Sequence, residues 1–118
     1  MANRQLGKLQ PTSLEIQFHR IWTVLGGPDL VWQHTFYPGR RWRFDYAHIA
    51  SKTAIELQGG IWVRGWHQNG VRYREDCEKL NAAASTGWRI FWLTTDMLHD
   101  DPVSHVGQII KSTLGRED

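Results

Sequence analysis

Thr53-Ala54-Ile55-Glu56-Leu57-Gln58, closed by Gly59-Gly60, is the stretch whose reading decides the fold. A short run of this kind ended by paired glycines reads as a β-strand. Its period of two puts Ile55 and Leu57 on one face and Glu56 and Gln58 on the other. Working upstream, Ser51-Lys52 is a short turn. Before it, Trp42 to Ile49 alternates as a second strand, with Trp42, Phe44 and Tyr46 on one side and Arg43, Asp45 and Ala47 on the other. Val31 to Phe36, bounded by Pro38-Gly39, reads as the strand before that. Thr12-Ser13-Leu14-Glu15 has the spacing of a capping box. Behind it Leu14, Phe18, Ile21, Trp22 and Leu25 recur at helical spacing, and Gly26-Gly27-Pro28 ends the helix. The first eleven residues are polar and expected to be loose.

Downstream of Gly60 a loop rich in Gly, Trp and Arg runs to about Gly70. A helix is expected from about Tyr73 to Thr86, with Gly87 in the C′ position. Trp88 to Thr94 is a mostly apolar run, read as a central strand buried on both faces. Asp101-Pro102 reads as a cap followed by proline at the first helical position. Val103, Val106, Ile109, Ile110 and Leu114 mark the buried stripe of a final helix. The order helix, three strands, helix, strand, helix predicts an α/β fold, a single domain spanning residues 1–118 with a central four-stranded mixed sheet flanked by helices.

Composition sets the outer limits. The 118 residues carry 41% hydrophobic and 22% charged side chains, the balance of a globular protein. Seven tryptophans supply unusual aromatic area for a core. The single cysteine, Cys77, excludes an intramolecular disulfide and a zinc site built on several thiolates. No apolar run approaches the roughly 20 residues of a membrane helix, and Met1 to Lys8 lacks the apolar stretch of a signal peptide. No membrane partner and a cytoplasmic location, in a bacterial or phage-infected cell, are expected. The net charge of +2 argues for nothing by itself. Its distribution says more, because Arg40, Arg41, Arg43, Arg64, Arg72 and Arg74 interleave with Trp42, Trp62, Trp66 and Tyr73. Guanidinium groups fork onto phosphates and aromatic faces stack on bases; arginines packed over surface tryptophans explain the same pattern.

Asp45 lies within a strand, where aspartate is disfavoured. Eleven residues on, Glu56 sits in the next strand, so both carboxylates can project from one end of the sheet. With a backbone carbonyl such as that of Leu57 they would offer hard oxygen ligands to Mg²⁺. Such an ion polarises a phosphate and supplies hydroxide. The competing account pairs each acid with a nearby arginine, for instance Asp45 with Arg43 or Arg41.

Asp45 followed by Glu56-Leu57-Gln58 in this element order resembles the PD-(D/E)XK nuclease superfamily, and within it the small Vsr-like endonuclease domains of phages and prophages. Arg43-Phe44-Asp45, Ala54 to Trp62, Gly65-Trp66-His67, Asp76 to Ala83 and Gly87-Trp88-Arg89 carry the likeness, which covers about Ser13 to Thr95. The resemblance implies the restriction-endonuclease-like order α-β-β-β-α-β-α and a Mg²⁺-dependent endonuclease acting on DNA, with Mn²⁺ as a substitute. It carries Asp45 and Glu56 over as metal ligands and Glu15 as an acid completing the metal shell, although the capping box explains that glutamate without a metal. Gln58 stands where the superfamily usually has lysine. The missing charge falls to Lys79, otherwise a solvated partner of Glu75, or to His67 in the loop, a candidate general acid. Asp76 is a weaker outer-shell acid. Arg40, Arg41, Arg43, Arg64, Trp66, Arg72 and Arg74 bracket the site as nucleic-acid contacts. A chain this small would cut as a nicking or structure-selective enzyme, with a homodimer needed to cut both strands. The alternatives are a nucleic-acid-binding module that kept the fold without catalysis, which Gln58 favours, and an RNA-directed nuclease.

Overall fold

A computed structural model of the chain describes residues 9–59 and 70–115. Arg64, Trp66 and His67, and the first eight of the eleven residues expected to be loose, lie outside them.

Helix α1 (Ser13–Val24) begins where the sequence signals it. Thr12 Oγ1 accepts from Glu15 N at 3.1 Å and Glu15 Oε1 accepts from Thr12 N at 2.8 Å, closing the capping box. It ends at Leu25, with Gly26 at φ 82°. Three antiparallel strands follow as a meander, β1 (Val31–Thr35), β2 (Arg43–His48) and β3 (Thr53–Gln58). Helix α2 (Gly70–Ser85) leads to β4 (Arg89–Thr94), which lies parallel to β3 from Thr53↔Arg89 to Gln58↔Thr94. The α/β fold with a four-stranded mixed sheet flanked by helices is therefore as expected, with strand order β1-β2-β3-β4.

Three expectations need correction. β4 is an edge of this sheet and not a centre; Trp92 is 38% exposed, and the strand with a continuous buried run, Thr53 to Glu56, is β3. A short helix α3 (Thr95–Asp100) intervenes before α4 (Pro102–Gly115), whose start is capped by Asp101 Oδ1 accepting from Ser104 N. Finally, Phe44 and Tyr46 do not share a side. Tyr46 packs with Phe18, Trp22, Ile55, Leu93, Val106 and Ile109 on the α1/α4 face, whereas Phe44 packs with Ala47, Ala54, Ala83 and Trp88 towards α2. The break falls at Asp45, opposite which Gln33 takes a left-handed φ of 56° and the β1/β2 ladder lacks a pair.

Among the described tryptophans, Trp22 and Trp32 belong to the first of these layers and Trp88 to the second. Trp22 is buried and its Nε1 donates to the Pro28 carbonyl at 2.7 Å. That bond fixes the indole across Gly27, where a Cβ would collide with the ring. Gly27→Ala is accordingly expected to lower stability by about 1–3 kcal/mol through overpacking, read as a reduced urea midpoint with unchanged slope.

Candidate active site

Backbone pairing of β2 with β3 runs from His48↔Thr53 to Tyr46↔Ile55. At the next position the side chains take over. Glu56 Oε2 accepts from Asp45 N at 3.1 Å, and Asp45 Oδ2 accepts from Leu57 N at 2.8 Å. The two acids thus hold each other's strand, an exchange the sequence reading, which placed both carboxylates at one end of the sheet, did not anticipate. Among the described residues neither forms an ion pair with arginine.

Glu56 is 9% exposed. Its Oε1 lies 3.0 Å from Lys79 Nζ, which also donates to the Arg43 carbonyl at 2.7 Å. Lys79 is therefore a member of the site and not the solvated partner of Glu75. Glu56, Gln58, Lys79, Asp76, Leu80 and Trp92 line a cavity of about 150 Å³. The structure brings Asp45, Glu56, Gln58, Lys79 and Asp76 to this end of the sheet.

Glu15, 6% exposed, is held on both oxygens. Besides the cap, Trp32 Nε1 donates to Oε1 at 3.3 Å and Gln33 Nε2 to Oε2 at 3.1 Å. Its donors account for it as a cap and a sheet tether; it bears on the site through its charge, which pushes the Asp45 carboxyl upward. Gln33, which sequence reasoning passed over, fastens Glu15 through its amide and acts to lower the Asp45 carboxyl against the burial that raises it. Its only signal was a polar residue at mid-strand.

Among the arginines, Arg40 and Arg74 both pair with Glu78, at 3.1 and 3.2 Å, and Arg40 also lies 3.9 Å over the Trp42 ring. The packing account of arginine over tryptophan holds for Arg40. Arg41 and Arg72 are exposed, and Arg43 joins the site through its carbonyl.

Burial is the main cause raising both the Asp45 and the Glu56 carboxyls. The Leu57 amide and Lys79 oppose it at Asp45, and Lys79 is the chief opposing group at Glu56. Asp45 and Glu15 each act upward on a neighbour, and the Tyr46 hydroxyl is pushed up to about 12 by burial, then by Glu15 and Asp45. Three carboxylates thus share one field with Lys79 as the ammonium among them. Among the described residues no group of three or more His, Cys, Asp or Glu forms a cage for a metal. Two carboxylates with remaining positions left to water and phosphate oxygens nevertheless fit the habit of Mg²⁺. A cation here would meet Glu56 in exchange for Lys79. Neither family models, characterised proteins nor solved structures yield a match to the chain.

Two tests follow from the geometry. A raised carboxyl binds its proton more tightly in the folded state, so its stabilising effect is present below the unfolded value and lost as pH rises through the folded one. Asp45→Asn, which keeps an oxygen for the Leu57 amide, is expected to raise Tm at pH 7 by a few degrees (~1 kcal/mol in a domain this size). Its advantage over wild type should shrink as pH falls through the carboxylate range; a Tm below wild type at pH 7 contradicts the direction. Gln33→Ala, which loses the amide yet keeps the left-handed backbone, should cost about 1–3 kcal/mol in urea denaturation, and Gln33→Gly less.

Proposed function

We propose that the chain is a divalent-metal-dependent DNA endonuclease with the restriction-endonuclease-like element order, working as a nicking or structure-selective enzyme. The observation that carries this reading is the reciprocal clasp of Asp45 and Glu56 at an open cleft, with Lys79 3.0 Å from Glu56. Strand carboxylates are costly to bury, and here a buried one, Glu56, and a half-buried one, Asp45, stand side by side next to a lysine at the mouth of a cavity. Groups whose ionisation is raised in a cleft are the usual mark of a working site.

In this reading Asp45 and Glu56, with the Leu57 carbonyl, would hold Mg²⁺ or Mn²⁺, which would supply charge stabilisation at a phosphate and acidify a water. Lys79 gives the positive charge beside the scissile phosphate that Gln58 lacks. The Gln58 amide oxygen orients the attacking water. The water oxygen bonds to phosphorus and gives up a proton to solvent, the bond to the 3′ oxygen breaks, and that oxygen takes up a proton from solvent and leaves as the 3′-hydroxyl, the 5′-phosphate remaining on the other fragment. Two copies of the chain would be needed to cut both strands.

A second reading, a nucleic-acid-binding module without catalysis, is favoured by one feature: each Glu56 oxygen already has a protein donor. Incubation with Mg²⁺ or Mn²⁺ on plasmid, single-stranded, branched DNA and RNA separates the two. Wild type should cut DNA, and Asp45→Ala or Glu56→Ala should lower the rate by about 100-fold or more, with a comparable loss for Lys79→Ala. Binding of DNA by wild type without cleavage under any of these conditions establishes the second reading, and cleavage confined to RNA changes the substrate.

A further inference from the structure

The cleft at Glu56 and Lys79 does not stop there. A second cavity, of about 260 Å³, opens beside it and shares Asp76, Leu80 and Trp92 as walls, adding Tyr73 and Cys77. The pair forms one groove between helix α2 and the β4 edge of the sheet. Its character changes along its length. At one end stand Glu56, Gln58 and Lys79; at the other an apolar floor and Trp92, an indole left 38% exposed although it belongs to the sheet. Apolar pockets with a few convergent polar groups are the form of small-ligand sites.

We propose that the Trp92 end of this groove holds a single nucleobase of a DNA strand whose adjacent phosphate lies at Lys79. The inference rests on the nuclease reading for the phosphate and adds the substrate class. Trp92 offers a flat face for stacking, Leu80 and Cys77 close the groove from α2, and the Asp76 carboxylate, common to both halves, accepts from an amino group on the base edge. A base inside a duplex cannot enter a groove of this kind, so the preferred strand is single or locally unpaired.

The test measures affinity by fluorescence anisotropy, in EDTA so that no strand is cut. The probes are a labelled oligodeoxyadenylate and an abasic backbone of equal length. Wild type should bind the base-bearing strand about tenfold more tightly. Trp92→Leu, which keeps an apolar filling without the ring, should remove most of that ratio; Trp92→Phe should retain it. Alkylation of Cys77, the chain's only cysteine, gives a second readout: the base-bearing strand slows its reaction with iodoacetamide in wild type and the abasic strand does not. A wild-type ratio near one, an undiminished ratio in Trp92→Leu, equal Cys77 reactivity with both strands, or no binding of either strand overturns the proposal. Cleavage of DNA with no Trp92-dependent preference removes the base site and leaves the nuclease reading intact. A Trp92-dependent preference in a protein that never cuts does the reverse.

Discussion

The structure turns on the exchange between Asp45 and Glu56. In a regular antiparallel pair these residues would face one another through main-chain bonds. Here the ladder stops at Tyr46↔Ile55, and each acid reaches across to a main-chain amide of the opposite strand, Glu56 to Asp45 and Asp45 to Leu57. Both amides remain satisfied, as buried donors must. The strands are tied by side chains at the level where the sheet meets solvent, and two carboxylates are fixed there with little rotational freedom. A carboxylate taken out of water needs donors or an opposite charge. The Leu57 and Asp45 amides and Lys79 meet that need only in part, for burial still leaves both carboxyls raised.

Charge at this end of the sheet is nevertheless out of balance. Glu15 arrives for a local reason, the helix cap, and Trp32 and Gln33 then fasten it over β1. Its field reaches Asp45 and Tyr46. A helix start and a sheet kink, each stable for its own reasons, are thereby coupled electrostatically. Removing Lys79 from such a cluster would leave a buried charge uncompensated, which is far costlier than the net worth of the pair.

What the sequence made legible follows from range. Caps and turns act over three or four residues, so Thr12/Glu15, Gly26, Gly87 and Asp101-Pro102 could be read directly, and the element order with them. The two acids were legible because they break strand preference at a spacing set by one short turn. Position within the sheet was not legible: Ile90, Phe91 and Leu93 make β4 apolar, but that reflects packing on the helices and does not reveal whether another strand lies beyond. Nor could the partner of Lys79 be read, since a helical i,i+4 acid is always nearby in sequence and the true partner, Glu56, is 23 residues away. Gln33 was invisible because its role depends on a left-handed backbone at a non-glycine residue.

The same kink links the site to the core. With strict alternation Phe44 would point with Tyr46 towards α1. Its actual placement lets it stack on Phe36 at 4.1 Å between ring centroids and meet Trp88 at 5.0 Å, building the aromatic layer against which α2 packs. Lys79 leaves that helix over the Phe44 ring, 5.6 Å from its centroid, and ends on the Arg43 carbonyl next to it. Phe44 therefore supports the lysine from below while the adjoining Asp45 anchors the acid pair. Were Phe44 to pack with Tyr46 instead, Lys79 would lose the ring beneath it, so the change of side between Phe44 and Tyr46 is also what places the lysine at the acid pair.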